Sequence, residues 1–96
     1  MIKRIVKLTF QLDQIDTFLQ IFEATQPKIL AMPGCSHLEL WRDVTNTNVL
    51  FTHSYWESED DLNNYRHSDF FKVTWSKTKA LFSERAEAWS VEVINN

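Results

Sequence analysis

Residues 53–75 read HSYWESEDDLNNYRHSDFFKVTW. This stretch decides the fold, because it passes from a strand through a tight corner into two successive helix starts. Val49 to Trp56, at whose end it begins, is rich in β-branched and aromatic residues, the composition of a strand. Ser58 then stands where an N-cap belongs. Glu59, Asp60 and Asp61 fill the first turn, where carboxylates oppose the positive end of the helix dipole. The acidic run therefore has a capping explanation that needs no metal. Leu62 and Tyr65 are its inward residues. Ser68 caps a second helix with Phe71, Trp75, Thr78 and Phe82 on one stripe. The stretch also holds two of the three histidines, both tyrosines and two of the four tryptophans. Such rings with polar tips either line a pocket or fill a core.

Upstream, residues 2–12 alternate, with Ile2, Arg4, Val6, Leu8, Phe10 and Leu12 on one nearly wholly apolar side; this predicts the first strand. Asp13 is placed as an N-cap for a helix over 14–26, whose Ile15, Phe18, Leu19 and Phe22 form an apolar stripe. Pro27 lacks the amide hydrogen a helix interior uses, so a kink or restart is expected there, with Ile29 and Leu30 packing inward. Pro33 and Gly34, the only glycine, make a turn. Cys35 to Arg42 is a second strand and residues 43–48, DVTNTN, a polar hairpin loop. Ala88 to Ile94 is the last strand, with Trp89, Val91 and Val93 on its apolar face. The order β-α-β-β-α-β predicts an α+β, ferredoxin-like antiparallel sheet with helices on one face, in one domain over 1–96.

Composition narrows the function. Ninety-six residues bury only roughly 60–65 % of the unfolded surface, yet 44 % of them are apolar. A partner subunit is one way to cover the excess. The uncovered sheet face would carry Ile5, His37, Glu39 and Trp41, so a homodimer through that face is expected. A net charge of −3 without a basic stripe argues against nucleic acid. No apolar run approaches the ~20 residues that span a bilayer. The N-terminus lacks the features of a signal peptide and there is a single Cys35, which together point to the cytoplasm.

Strand register decides what faces the helices. Pairing Arg42 with Val49 sets Leu40 opposite Phe51, Leu38 opposite His53 and Ser36 opposite Tyr55. That register buries Phe51 and turns His53 and Tyr55 toward the helices; a slip of one residue turns both away.

The chain resembles the antibiotic biosynthesis monooxygenase family of the dimeric α+β barrel superfamily. The resemblance rests on the Pro33-Gly34-Cys35 turn leading into Leu38-Glu39-Leu40, the Tyr55-Trp56-Glu57-Ser58 corner, and the spaced set Leu62, Tyr65, Ser68, Phe71. It implies a homodimer with a ligand cleft between sheet and helices in each subunit. Some members of the family oxidise electron-rich aromatics such as polycyclic phenols without metal or flavin, the deprotonated substrate supplying the electrons. The haem-degrading branch is similar around Ser68-Asp69-x-Phe71-Lys72. Where its members use Asn, Trp and a haem-ligating His, this chain has Val6, Tyr65 and Trp75. Haem degradation through a protein histidine is therefore not expected.

Within that frame His53 is the candidate general base, because its ordinary pKa lies near neutrality; the alternative is a structural sheet histidine. Tyr55 and Tyr65 are candidates to orient a phenolic substrate, and Phe71 and Trp75 to wall the cleft; each also fits a core role. His67 reads as solvated or capping, and Cys35 as an inert thiol. No His-x-x-x-His or Cys-x-x-Cys spacing marks a metal site, and one glycine cannot build a phosphate loop, so no cofactor is expected. The expected function is a cofactor-independent monooxygenase acting on a small aromatic or quinol-like compound. The alternative is a non-catalytic dimeric module of the same fold that binds a small apolar molecule or whose cleft is filled.

Overall fold

The computed structural model describes residues 1–96. Strands β1 (Ile2–Thr9), β2 (Cys35–Arg42), β3 (Val49–Trp56) and β4 (Glu87–Val91) and helices α1 (Ile15–Leu30), α2 (Glu59–Arg66) and α3 (Asp69–Lys79) follow in the order β1-α1-β2-β3-α2-α3-β4. The strands form one antiparallel sheet in the order β2-β3-β1-β4, the ferredoxin-like arrangement. No helix is long and apolar enough to cross a membrane.

The helix-covered face of the sheet carries Leu38, Ser54, Arg4 and Ser90 in one row, and Leu40, Thr52, Val6 and Ala88 in the next. Two apolar clusters flank these rows. Leu8, Phe10, Phe18 and Leu50 form one at the hairpin end. Ile29, Leu38, Trp56 and Leu62 form the other at the corner end.

Both caps of the opening stretch form. Ser58 Oγ accepts from the Asp61 amide, and Ser68 Oγ from the Phe71 amide, each at 3.1 Å. The Pro33–Gly34 turn docks on the Ser58 corner, where the Glu57 amide donates to the Gly34 carbonyl at 2.8 Å. Gly34 has φ +85°, and a Cβ added there would fall 2.6 Å from Asp61 Cβ. Gly34→Ala therefore strains the backbone and pushes Asp61 off its cap. The expected cost is about 1–3 kcal/mol, read as a melting temperature lower by roughly 5–20 °C; an unchanged thermal melt would contradict this account of the corner.

The first strand ends at Thr9: Phe10 makes an isolated bridge to Phe82, and Leu12 lies exposed in the turn that follows. The N-cap position of helix α1 is Gln14, not Asp13, without a side-chain capping bond, and the helix runs unbroken through Pro27. Pro27 sits in its last turn on the exposed side, where water can reach the Glu23 carbonyl left without a donor. The last strand stops at Val91. Trp89 and Val91 lie on the open face, paired with Ile5 and Lys3, and Val93 is exposed beyond the strand.

The β2–β3 register differs from the expected pairing by one residue. Arg42 pairs with Leu50, Leu40 with Thr52, Glu39 with His53, and His37 with Tyr55. Asp43 is the reason. Its Oδ1 accepts from the Thr45 and Asn46 amides at 2.8 Å each, tightening the turn, while its own amide donates to the Val49 carbonyl at 2.9 Å. Asp43 thus extends the ladder instead of opening the loop, and every side chain of β3 changes face relative to the expectation. An irregularity between Cys35 and His37 absorbs the offset near the corner. His53, Tyr55 and Phe51 all lie on the open face.

Candidate functional site

Small and polar residues at the middle of the covered face leave room beneath the helices. Thr52, Ser54 and Ala88 stand where large apolar side chains would close the layer. The result is a cavity of about 300 Å³, at the lower end of the range for small-molecule sites. Tyr65, Phe71 and Trp75 line it, together with Phe18, Phe22 and Trp56. Their rings form a continuous wall. Trp56 stacks on Tyr65 at 5.0 Å, Tyr65 meets Phe71 edge-on at 5.1 Å, and Phe71 stacks on Trp75 at 5.8 Å with an interplanar angle of 11°. The Trp56 indole donates to Ser54 Oγ at 2.9 Å, which fixes that ring. Such a wall suits a flat aromatic ligand.

Two cations give the cavity a polar pole. Arg4 of β1 and Arg66 at the end of α2 both line it. Burial, and then the positive charge of Arg66, hold the Arg4 guanidinium below its ordinary pKa. Arg4 Nη1 donates to Ser90 Oγ at 3.0 Å. The chain's ion pairs, Lys7–Glu87 and those of Glu39 with His37 and His53, lie on the other face of the sheet. Neither arginine therefore has a carboxylate partner, and the cavity presents two guanidinium groups to a ligand. Neither was among the residues singled out in the sequence. The available signal was Arg4 itself, a lone charge on an otherwise apolar strand face.

Burial pushes the Tyr65 phenol well above its ordinary value, with Cys35 adding to the effect. Tyr65 is consequently a hydrogen-bond donor and not a base. Because its folded value is raised, its contribution to stability is complete below the ordinary phenol range and is lost as pH rises through the folded value. Alkaline titration of phenolate absorbance should show a late component linked to unfolding that Tyr65→Phe removes. Survival of that component in the variant would contradict the burial. Burial likewise raises the Cys35 thiol, which donates weakly to the His37 carbonyl at 3.7 Å.

His53 and Tyr55 do not line the cavity. The register sets them on the open face with His37, Glu39 and Trp41. His53 is buried there under neighbouring rings, its centroid 4.4 Å from Trp41 and 5.0 Å from Tyr55. His67, the C-cap of α2, is exposed. The cavity holds no His, Asp or Glu side chain.

Residues 1–75 match the antibiotic biosynthesis monooxygenase family. The chain belongs to that family. No curated protein matches it in sequence. Among solved structures, one described as an antibiotic biosynthesis monooxygenase superposes with TM-score 0.91 at 16 % identity, covering 99 % of this chain and 100 % of that one. A conserved protein from Methanosarcina mazei gives TM-score 0.89 at 18 % identity over 94 % and 89 % of the two chains. Rv0793 from Mycobacterium tuberculosis gives 0.88 at 14 % identity over 99 % and 96 %. At these identities the neighbours establish the fold. For an antibiotic biosynthesis monooxygenase family member, the ring-walled cavity with its arginine pole is the feature through which chemistry can be read.

Proposed function

We propose that this chain is a cofactor-independent monooxygenase that oxidises a small, flat phenolic or quinol-like compound bound as its anion. The observation that carries this reading is the pair of guanidinium groups without carboxylate partners beside a continuous aromatic wall. The rings hold the flat body of the substrate. Arg4 and Arg66 stabilise the phenolate oxygen by charge-assisted hydrogen bonds, favouring ionisation with loss of the proton to water. The Tyr65 hydroxyl donates to the bound compound and helps orient it. The electron-rich anion then reduces dioxygen, and the resulting oxygen adduct on the ring carbon loses water. For a phenol becoming a quinone, one oxygen atom enters the ring and the other leaves as water with two substrate hydrogens. Enclosure between sheet and helices limits water at the reacting carbon.

Homodimer formation through the open sheet face accompanies this function. Ile5, Trp41, Phe51, Trp89 and Val91 share that face, with Trp41 at 41 % and Trp89 at 45 % relative exposure. A face this apolar calls for a partner. A cytoplasmic setting fits the free Cys35 thiol.

The lack of a cavity carboxylate or histidine favours a second reading, a dimeric module that binds an aromatic acid without transforming it. Oxygen consumption on adding a dihydroxynaphthalene whose hydroxyls stand on different rings, with chelator present, separates the two. The enzyme reading expects catalytic turnover lost on heat denaturation. Saturable binding with uptake no faster than the buffer rate establishes the module instead.

A further inference from the structure

The open face holds a cluster that the proposed chemistry does not use. His37 and Glu39 lie two residues apart on β2, and Glu39 pairs directly with His53 on β3. His37 Nε2 is 2.9 Å from Glu39 Oε1, and His53 Nδ1 is 3.6 Å from the same oxygen. The donor atoms of the three residues all lie within 4.8 Å of one another. Both ring nitrogens are buried, and neither makes a hydrogen bond of usable geometry, despite the short His37–Glu39 separation. A buried polar atom without a partner is costly, and two converging on one carboxylate need a common explanation.

We propose that His37, Glu39 and His53 form a binding site for a divalent transition-metal ion, zinc being the reference case, on the sheet face opposite the cavity. Two imidazole nitrogens and a carboxylate oxygen are a ligand set that zinc, copper and nickel accept. With ligand bonds of roughly 2.1 Å, tetrahedral donors stand about 3.4 Å apart. Two of the three separations are already near that value, and small side-chain rotations close the third. The ligands sit on adjacent strands, which holds them rigidly. The Trp41 indole donates to Glu39 Oε1 at 3.3 Å, and its ring covers His53 at 4.4 Å. Trp41 is thus a positioning residue for the ligating carboxylate. A fourth position stays free for water or for a group from a second copy of the chain.

This site is found only in three dimensions. His37 and His53 are sixteen residues apart along the chain, outside the spacings that mark a zinc site in sequence, and the strand register alone brings them together.

Zinc competition against a chromogenic indicator, on the chelator-treated full chain, tests the proposal. One zinc per chain is expected. His37→Ala, His53→Ala and the near-isosteric Glu39→Gln should each weaken binding about 100-fold or more, Trp41→Phe about 10-fold, and His67→Ala not at all. Circular dichroism of each variant separates loss of ligands from loss of fold. Copper(II) should quench indole emission in the wild type and much less in Trp41→Phe. The proposal is overturned by any of three results: no stoichiometric zinc uptake, uptake that survives the His37→Ala/His53→Ala double substitution in a folded chain, or uptake abolished by His67→Ala. The cavity lies on the other face, so this outcome is independent of the oxygenase test.

Discussion

Phe10→Ala should cost this chain about 3–5 kcal/mol, a large part of the ~5–15 kcal/mol that holds a domain of this size together. Phe10 is fully buried at the end of β1, stacked on Phe18 at 4.4 Å and tilted against Phe82 at 5.4 Å. It joins the sheet to α1 and, through its bridge to Phe82, to the segment leading from α3 to β4. Its backbone is also tied down, the amide donating to the Asn48 carbonyl and the carbonyl accepting from Asn48 Nδ2, each at 3.0 Å. Truncation leaves a cavity that three elements must collapse together to fill, and the backbone bonds resist that collapse. Equilibrium urea unfolding should show the midpoint lower by roughly 1.5–5 M, given a slope of roughly 1–2 kcal/mol/M. A loss below about 1 kcal/mol would mean that Phe10 does not join these elements.

Arg4→Gln should have the opposite balance between function and stability. A charge-assisted hydrogen bond to a phenolate contributes about 1.5–3 kcal/mol, so affinity for the phenolic substrate should fall roughly 10- to 150-fold. Stability should hold or rise, because burial and the nearby Arg66 both disfavour the Arg4 charge in the free protein. A residue that weakens the fold and serves the ligand is the signature of a binding site. Paired binding titrations and thermal melts of wild type and variant check both halves. Unchanged affinity would remove Arg4 from the site. A destabilised chain would show that the bond from its guanidinium to Ser90 Oγ outweighs the cost of burying the charge.

The order of elements and the helix starts were legible because local chemistry determines them. Ser58 and Ser68 cap their helices through their own hydroxyls, and Gly34 takes a positive φ that its turn requires. The face of β3 was not legible in the same way. Leu50 and Trp56 lie on one side and Phe51 and Tyr55 on the other, so hydrophobic alternation cannot choose between them. The choice falls to Asp43, whose turn bonds and amide bond to Val49 shorten the loop by one residue and shift the register by one. That single step moves His53 and Tyr55 from the expected cleft to the open face, and it puts Thr52 and Ser54 in their place. The aromatic wall survives the change because Tyr65, Phe71 and Trp75 sit on helices, where the 3.6-residue period leaves less ambiguity. The arginine pole escaped notice because a charge within an apolar strand pattern is easily read as tolerated, when here it faces a cavity.

Proline 27 carries a related lesson about position. The same residue that would break a helix interior is accommodated in the last turn of α1, where its missing amide leaves only one solvent-accessible carbonyl without a donor. Capping and chain-breaking rules depend on where along the helix they act, and that depends in turn on packing of Ile29 against Leu38, Trp56 and Leu62.

The proposed reaction inserts one atom of dioxygen into a phenolic anion held in the cavity between sheet and helices. The direct test is mass spectrometry of the product formed under isotopically labelled dioxygen, with chelator present, from a dihydroxynaphthalene whose hydroxyls stand on different rings with a free carbon para to one of them, so that quinone formation requires oxygen insertion. One labelled oxygen per quinone is expected from the wild type, and little product from Arg4→Gln at limiting substrate. Quinone carrying no label from dioxygen, or no product above the protein-free rate, would contradict it.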